Sequence, residues 1–415
     1  MIWIKDISVR GIAEVVLGRQ RAPQHAQGDH MVRYLRAANV KDGELDLNDV
    51  MSMNFTPDEQ RTFALRRGDV LVTEGSGSLA SVGASAVWHG EIDGTVCFQN
   101  TLLRMRPRSG VTDGRFLGWW ARSAFGSGLF ASLATGANIY HLSAERVRSL
   151  RIDIPPLEEQ RRIADFLDAE TAQIDSLLRL RANMSTLLLL KRERVVEQIL
   201  GLSRAGSSQD FVPLKYLAKE ITVGIVVTPA AWYVDADGIP ALRGVNIGPG
   251  RIVKDDLVQI SREGHALHRK SQLREGDLVV VRTGQAGVTA AIPAEFAGTN
   301  CIDLVVVRPV DALNSRYAEY VLNSDYAKRH VAEYSVGSIQ SHFNVGAMKL
   351  MPIPRVPLAE QERRVRLLDE AVERFDGLSA RLLRQEELLI ERRQALITAA
   401  VTGQIDVTTA RGVAG

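Results

Sequence analysis

The sequence predicts an α+β protein with two homologous globular domains, separated by two long helices that form an antiparallel coiled coil, and with a pseudo-twofold internal repeat. Two observations support this fold class. Several short motifs occur twice in the same order, about half a chain apart. Each copy also ends in a long stretch whose apolar residues recur with the seven-residue period of a coiled-coil seam.

The clearest repeat is PLEEQ at 156–160, which returns as PLAEQ at 357–361 after a shift of 201 residues. Upstream, LRAANV at 35–40 corresponds to LRGVNI at 242–247, and RGDV at 67–70 corresponds to EGDL at 275–278. Solenoid repeats have periods of roughly 20–50 residues. The long period therefore favours two homologous domains, each followed by its own helix.

The motifs and the linker composition predict six consecutive segments. They are a first globular domain (1–154), a long central helix (155–203), a linker (204–210), a second globular domain (211–354), a long C-terminal helix (355–406) and a tail (407–415). Proline at 155–156 and 357 suits a helix start, and the Gly/Ser-rich run after 200 ends the first helix.

The two long helices carry narrow apolar stripes. Such stripes favour pairing, since a lone helix would expose its apolar face to water. The alternative is that each helix packs on its own globular domain. In the first helix the predicted seam is Leu167, Ile174, Leu188 and Val195, with Leu177 and Met184 at the complementary positions and Arg181 as a polar interruption. In the second helix it is Val365, Leu368, Val372, Phe375, Leu382, Leu389 and Leu396, interrupted by Ser379, Glu386 and Arg393.

Within the globular domains, β-branched and apolar runs predict strands at 70–73, 102–105, 277–282 and 303–308. Helical periodicity predicts one helix over 114–124 and one over 316–329. These mixed patterns indicate an α+β domain in each half of the chain.

Composition describes an ordinary folded protein, with 45% hydrophobic and 24% charged residues and a net charge of +2. The two cysteines, Cys97 and Cys301, lie in apolar runs and are predicted to be buried thiols. The first residues lack a secretory pattern, and no apolar run of about 18 residues occurs. We therefore expect a cytoplasmic protein without a membrane partner.

Catalytic signatures are missing from the sequence. It contains no phosphate-binding GxxxxGK[ST] loop, no HExxH, no paired CxxC and no GxSxG elbow. It also lacks the Asn-Pro-Pro-Tyr-like loop with which amino-methyltransferases hold an extruded base. We predict no catalytic residue, no metal site and no cofactor bound by this chain.

Polar and basic residues at matching places in both halves are candidates for contacts with bases or phosphates. Arginine can contact guanine bidentately or hold a phosphate, and Arg36 and Arg243 are placed just before a predicted strand end. The alternative is a set of turns with internally satisfied side chains. The predicted DNA-binding residues are Arg33, Arg36, Ser76, Ser78, Asn138, Tyr140, His141, Arg243, Arg282, Thr283, Gln285, Ser338, Gln340, His342 and Asn344.

With its duplicated PLxEQ motif and the closing run RQALITAAVTGQI at 393–405, the sequence resembles the specificity subunit of type I restriction-modification systems. The resemblance covers nearly the whole chain. Two departures are the sequence IPRVP at 353–357 in place of a Pro-Pro pair, and ILG at 199–201 where the second helix ends in VTG.

The resemblance implies two target-recognition domains, each reading half of a bipartite site in double-stranded DNA. It further implies docking to two methyltransferase subunits and two ATP-dependent restriction subunits. S-adenosylmethionine, ATP and Mg²⁺ are then expected on those partners, with no catalysis by this chain. The predicted partner-docking residues are Leu157, Glu159, Gln160, Arg161, Leu358, Glu360, Gln361 and Arg364.

Two alternative functions remain open at the level of sequence. One is a coiled-coil spacer that binds DNA without catalytic partners, which would bind in a salt-dependent but sequence-indifferent way. The other is the recognition part of a single-chain restriction-methylation enzyme, for which no segment is left to form a catalytic domain.

Overall fold

The structure, a computed structural model, describes residues 3–202, 210–335 and 344–407. The chain divides into two compact units. The first unit comprises residues 1–181 and 384–415, and the second comprises residues 182–383. Each long helix therefore contributes one part to each unit.

The first unit contains short strands and helices followed by the start of a long helix. Its strands are β1 (Ile4–Ser8), β2 (Ala13–Leu17), β3 (Met31–Leu35), β4 (Met51–Asn54), β5 (Val70–Thr73), β6 (Gly75–Ser76), β7 (Ser85–Val87), β8 (Val96–Phe98), β9 (Leu102–Pro107), β10 (Tyr140–His141) and β11 (Arg151–Ile154). Its helices are α1 (Val9–Ile12), α2 (Pro57–Phe63), α3 (Gly114–Gly126), α4 (Leu129–Leu133), α5 (Ala144–Ser149) and the first part of α6 (Leu157–Leu200).

Two sheets form the centre of the first unit. One is antiparallel with the order β2-β9-β5-β7, and the other has the order β4-β3-β8 with β3 and β8 parallel. Every residue of β5 is buried, Thr73 included, and the continuous apolar run at 70–72 is typical of a strand covered on both faces. The pairs β1-β11 and β6-β10 complete the unit. The strands predicted at 70–73 and 102–105 and the helix at 114–124 are confirmed.

The second unit repeats this plan with some additions. Its strands are β12 (Phe211–Pro213), β13 (Ala218–Val223), β14 (Tyr233–Val234), β15 (Ile239–Leu242), β16 (Ile247–Gly248), β17 (Arg251–Ile252), β18 (Val258–Ile260), β19 (Leu278–Val281), β20 (Thr289–Ala291), β21 (Asn300–Cys301), β22 (Leu304–Pro309) and β23 (Pro352–Pro354). Its helices are the end of α6, α7 (Arg262–Leu267), α8 (Ser315–Asn323), α9 (Asp325–Ser335), α10 (Val345–Leu350) and the first part of α11 (Leu358–Val401).

The sheets of the second unit match those of the first. The order β13-β22-β19-β20 corresponds to the order β2-β9-β5-β7 of the first unit. The sheet β14-β18-β15-β21 again contains one parallel pair, β15 with β21. The predicted strands at 277–282 and 303–308 are confirmed as β19 and β22. The prediction of one helix over 316–329 is wrong, because Ser324 adopts an extended conformation (φ −71°, ψ 159°) and separates α8 from α9.

Both long helices close the core of the first unit. Ile163 and Leu167 of α6 and Ile397 and Val401 of α11 belong to one buried cluster with Trp119. Burial of each such aliphatic side chain contributes about 1.5–3 kcal/mol. Further along the same pair, Arg393 Nη1 lies 2.6 Å from Asp175 Oδ1. The end of α11 is therefore part of the first unit's hydrophobic core.

The second unit shows the reciprocal arrangement. Leu200, at the end of α6, and Leu368, near the start of α11, are buried in one cluster. Arg364 Nη1 donates to the Leu200 carbonyl at 2.7 Å, and Arg192 Nε lies 3.5 Å from Asp376 Oδ1. Moving forward along α6 thus corresponds to moving backward along α11, so the helix segments of this unit are antiparallel.

Burial along α11 confirms the predicted seam, since every predicted position, polar interruptions included, is buried or half-buried. In α6, Leu167, Ile174, Leu188 and Val195 are confirmed in the same way, and Arg181 is half-buried as well. The complementary positions were predicted wrongly, because Leu177 and Met184 are 45% and 49% exposed. The positions one residue later, Leu178 and Ser185, face inward instead.

Candidate nucleic-acid interface

In the first unit, two separate chain segments meet at Thr101, and a third lies beside them. The backbone N–H of Ala37 donates to the Thr101 hydroxyl at 3.0 Å, and the backbone N–H of Glu74 donates to the Thr101 carbonyl at 2.8 Å. Arg36 therefore lies next to the glycine-rich segment that follows β5. The third segment is β10, which pairs with β6 beside Glu74.

The β6-β10 pair brings several predicted residues together. Ser76 is the register partner of Tyr140, and Gly75 is the partner of His141. The His141 Nδ1 atom lies 3.2 Å from both carboxylate oxygens of Glu74. The backbone N–H of Ser78 donates to Ser76 Oγ at 3.1 Å. Ser78 and His141 are exposed, so hydroxyl and imidazole groups are presented to solvent at one place.

Arg36 follows β3 directly and is held by a hydrogen bond to Asn39 and an ion pair with Asp49. This arrangement is termed the arginine bracket. The sequence predicted it just before a strand end, whereas the strand stops at Leu35. Its backbone N–H donates to Asn39 Oδ1 at 3.0 Å, and Asn39 Nδ2 donates to the Asp46 and Asp49 carbonyls at 2.8 and 2.9 Å. The Arg36 guanidinium is ion-paired with Asp49. The arginine is thus pre-oriented at the surface.

The second unit has the same bracket. Arg243 follows β15, its backbone N–H donates to Asn246 Oδ1 at 3.0 Å, and its Nη2 lies 2.7 Å from Asp256 Oδ2. The two arginine side chains are equally accessible, at 28% each. Asn39 and Asn246 are buried. Their role was missed in the sequence, although they occupy matching places in the repeated motifs at 35–40 and 242–247.

Arg282, Thr283 and Gln285 lie on the loop between β19 and β20. Arg282 Nη1 is 2.5 Å from Asp303 Oδ1, and the Thr283 hydroxyl donates to Asp303 Oδ2 at 3.0 Å. The Ile302 backbone N–H, next to Asp303, donates to the Leu242 carbonyl at 2.8 Å, which brings this loop near Arg243. Gln285 is exposed on the loop. Asp303 thus anchors the loop at the place that Thr101 occupies in the first unit.

The remaining predicted DNA-binding residues are less well connected. Arg33 is exposed on β3, and Asn138 is exposed before β10. Ser338, Gln340 and His342 lie outside the described residues. Asn344 caps α10, since its Oδ1 accepts from the Ala347 backbone N–H at 2.9 Å. This capping bond gives Asn344 a structural role that the sequence did not predict.

The prediction that Gln160 and Gln361 dock a partner requires correction. Both are buried, at 1% and 3% exposure. Gln160 accepts from the Asp113 backbone N–H and donates to the Val111 and Pro155 carbonyls, all at 2.8–2.9 Å. Gln361 makes the same three bonds with Asn314, Ala312 and Val356. Their amides fasten each helix start to its own domain and are not accessible to a partner.

The other predicted docking residues differ in accessibility. Glu159 is ion-paired with Arg162, and Glu360 is held by Arg363 and Arg364. The bonds from Arg363, followed by those from Arg364, lower the pKa of Glu360 from 4.5 to about 2. Arg364 is engaged as described above, by Glu360 and the Leu200 carbonyl. Leu157 is half-buried, and Arg161 and Leu358 are exposed.

Two further predictions concern cysteines and metals. Cys97 and Cys301 are both free and buried, as predicted, and burial raises the pKa of the Cys97 thiol to about 12. Among the described residues, no group of His, Cys, Asp and Glu side chains has a metal-binding arrangement. Over the same part of the chain, no helix is long and apolar enough to cross a membrane.

Two solved structures share the fold of this chain. A chain from a structure described as the structural basis of complex assembly and conformational transition of the type I R-M system superposes with a TM-score of 0.75 at 21% identity, covering 97% of this chain and 98% of that chain. The HsdS subunit from Thermoanaerobacter tengcongensis superposes with a TM-score of 0.55 at 20% identity, covering 97% of each chain.

Sequence comparisons find relatives that are specificity subunits of type I restriction enzymes. The type I restriction enzyme EcoKI specificity subunit of Escherichia coli (strain K12) is 24% identical over 279 residues, which are 65% of this chain and 58% of that protein. The StySPI specificity subunit of Salmonella potsdam is 22% identical over 425 residues, covering 95% of this chain and 86% of that protein. Residues 19–182 match the family model for the type I restriction modification DNA specificity domain. The predicted resemblance is thereby confirmed, and the chain is a relative of the specificity subunits of type I restriction-modification systems.

Proposed function

We propose that this chain is the DNA-recognition subunit of a type I restriction-modification complex, and that each unit reads one half of a bipartite site. The observation that carries the proposal is the arginine bracket, which occurs once in each unit. In both copies an asparagine accepts from the arginine backbone N–H, an aspartate pairs with the guanidinium, and the arginine side chain is equally exposed. Two separate reading surfaces on one chain are what a bipartite target requires.

The chemistry of each surface suits DNA. A guanidinium can contact guanine O6 and N7 bidentately or hold a phosphate. The ion pair with Asp49 or Asp256 restricts the side chain before binding, which lowers the entropy lost when a contact forms. Around the arginines, hydroxyl, imidazole and amide groups of Ser78, His141 and Gln285 are exposed and can donate to or accept from base edges.

The partners are proposed from the resemblance, and the duplication supports two copies of each. A chain with internal pseudo-twofold symmetry offers two similar surfaces, and two identical subunits can occupy them as in an isologous dimer. We propose two methyltransferase subunits and two restriction subunits. Those partners would carry S-adenosylmethionine, ATP and Mg²⁺ and perform the chemistry, while this chain supplies recognition only.

We place partner docking on the long helices. Each unit exposes its own apolar helix side chains: Leu180 and Ile390, at 57% and 50%, in the first unit, and Leu187 and Leu383, at 65% and 59%, in the second. Apolar side chains in such numbers on a helix are typical of a surface that a partner covers. Among the residues predicted from sequence, the accessible Arg161 and Leu358 remain candidates.

The decisive experiment is co-expression with the cognate methyltransferase subunit, followed by genome-wide mapping of methylated adenines. We expect methylation at one bipartite motif with a fixed spacer, and two methyltransferase subunits per chain in the purified complex. Methylation at a continuous motif would contradict bipartite recognition. Binding that depends on salt but not on sequence would instead support the spacer alternative.

The two half-sites should be separable by mutation. Arg243→Ala is expected to relax only the half-site read by the second unit, with about 1–3 kcal/mol lost if a base contact is removed. Arg36→Ala should act only on the other half-site. Arg262→Ala, at an exposed arginine of α7, serves as a control for lost charge. Equal weakening of both half-sites by each variant would identify these arginines as structural or as phosphate contacts.

A further inference from the structure

A polar cluster joins α3 to α6 in the first unit. Arg115 Nη1 donates to Asp165 Oδ1 at 2.7 Å and to Asp168 Oδ2 at 3.0 Å. The Trp119 indole N–H donates to the other oxygen of Asp168 at 2.8 Å. Both oxygens of the Asp168 carboxylate are therefore used by one helix of the globular domain.

The second unit contains an equivalent cluster, shifted by the same 201 residues. Arg316 Nη2 donates to Asp369 Oδ1 at 3.2 Å, and the Tyr320 hydroxyl donates to the same oxygen at 2.6 Å. Trp119 and Tyr320 occupy equivalent positions but differ in size and shape. Both carry a polar group that donates to an equivalent carboxylate of a long helix, Asp168 or Asp369. A residue that served only to fill space would not need that donor.

The position of the cluster matters because it provides a second hydrogen-bonded attachment point, in addition to the buried apolar contacts between helix and domain. Gln160 and Gln361 already fasten the start of each long helix to its domain. Asp168 and Asp369 lie eight residues further on in each helix, which is about 12 Å of helix length. Buried apolar contacts of Leu167 and Leu368 also hold each helix against its domain. Apolar packing is non-directional, whereas hydrogen bonds at two separated points on the helix fix the direction of the domain.

The clusters are poorly placed to provide stability alone. The side chains of Asp168 and Asp369 are 43% and 48% exposed, and those of Arg115 and Arg316 are 40% and 43% exposed. Exposed ion pairs contribute little to stability because water and salt screen them. Their geometry nevertheless restricts motion, since each carboxylate receives two donors from different turns of one helix.

We propose that Arg115, Trp119 and Asp168 in the first unit, and Arg316, Tyr320 and Asp369 in the second, are positioning residues that fix the angle of each recognition domain on its long helix. This inference rests on the proposed function where it concerns DNA. The angle of the domains determines which spacer lengths let both half-sites be read together, because the reading surfaces must meet grooves that recur about every 34–36 Å.

The test uses the complete chain and the single-atom variant Tyr320→Phe, together with Asp369→Asn. Tyr216→Phe, at a tyrosine that is 66% exposed, is the control. Spin labels at Arg262→Cys and Glu373→Cys report the distance between the domain and α11 within the second unit. The native Cys97 and Cys301 are buried and are not expected to react. We expect a broader distance distribution in both variants than in the wild type or the control. An unchanged width would overturn the positioning role whatever the protein binds.

The second arm measures methylation by the complex on DNA with both half-sites and varied spacers. Relative to the best spacer, we expect the variants to gain about fivefold on spacers one base pair longer or shorter, which corresponds to about 1 kcal/mol. Half-site sequences should stay unchanged. A spacer profile identical to that of the wild type would contradict the role in spacing. If the wild-type complex itself showed no bipartite preference, the proposed function would fail, while the distance measurement would still decide the positioning role.

Discussion

The buried glutamines Gln160 and Gln361 show how much one side chain can organise. Each amide accepts from one backbone N–H at the start of a domain helix, α3 or α8. It also donates to one carbonyl just before that domain helix and to one just before the long helix. Buried backbone groups without partners are costly. These glutamines therefore connect the end of a globular domain, the start of a long helix and the cap of α3 or α8.

Removal of one such amide should destabilise the protein strongly. Gln361→Leu keeps an apolar side chain of similar size but leaves the Asn314 N–H and two carbonyls unpaired. We expect a loss of about 2–3 kcal/mol in the free energy of unfolding of the second unit. Urea denaturation measures this loss. Gln198→Leu, at an exposed glutamine of α6, should change the value by less than about 0.5 kcal/mol. Equal effects of the two substitutions would argue against the amide bonds.

Glu360 should make stability depend on pH at the acidic end. Its folded pKa, lowered to about 2 by Arg363 and Arg364, lies below the unfolded value of about 4.5. A lowered folded pKa means that the fold favours the ionised form. The stabilisation is therefore fully present above about pH 4.5 and is lost as pH falls toward 2. The stability difference between wild type and Glu360→Gln should shrink over this window. Glu362→Gln, at an exposed neighbour, should not reproduce that trend.

Neither glutamine role could be read from the sequence. PLEEQ and PLAEQ indicate a helix start and place Gln160 and Gln361 in its first turn, where surface exposure is the ordinary expectation. Their true partners are backbone groups 49 residues away, at Val111 and Ala312. Hydrogen bonds to a distant backbone leave no trace in residue type, so the motif was predictable as a helix signal but not as an anchor.

At the scale of elements, the error in the predicted seam of α6 at Leu177 and Met184 has a physical reason. A coiled-coil position can be followed by the next inward position after either three or four residues. Leucines occupy both choices at Leu177 and Leu178. The sequence cannot choose between two apolar side chains, whereas burial shows that the step of four is used. Along α11, Asp369 and Asp376 follow Leu368 and Phe375 and set the order of steps early in the helix. Continuing that order selects Leu382 over its exposed neighbour Leu383.

The corrected seam can be tested by paired substitutions. Ile174→Ala removes a side chain that is 5% exposed and should cost about 2–4 kcal/mol. Leu177→Ala removes one that is 45% exposed and should cost less than about 1 kcal/mol. Urea unfolding of the two variants gives the comparison. The measurements use the isolated chain, so loss of a bound partner does not contribute. A larger loss for Leu177→Ala than for Ile174→Ala would contradict the corrected seam and support the one predicted from sequence.

At the scale of the whole molecule, the duplication was the most predictable feature, because both copies keep their motifs in order. The reading surfaces were only partly predictable. Arg36 and Arg243 could be found from the repeat. The asparagine and aspartate partners in their arginine brackets depend on turns that the sequence does not specify. Pairing of β6 with β10 likewise required the fold to bring residues 76 and 140 together.

The long helices should act as a ruler between half-sites. Each recognition domain is attached to both helices, so only a matched extension of α6 and α11 keeps all attachments in step. Insertion of one heptad after Arg181 and one after Leu383 preserves the seam and adds about 10 Å of helix. We expect a spacer about three base pairs longer, with both half-sites unchanged.

Methylation mapping of the doubly extended complex measures the new spacer. Insertion in α6 alone is the control, and it should reduce activity because the two helices no longer match in length. An active double insertion with the original spacer would show that the helices do not determine the distance. Altered half-sites would show that the helices also shape the reading surfaces.

The participation of Ile397 and Val401 in the core of the first unit has a consequence for biosynthesis. The second unit is continuous from 182 to 383, whereas the first needs a segment that leaves the ribosome after the second unit is finished. Domains of a nascent chain generally fold in N-terminal order. Here the order should be reversed: the later-made unit completes its core first, and the earlier-made one waits with an open apolar face that chaperones would be expected to bind.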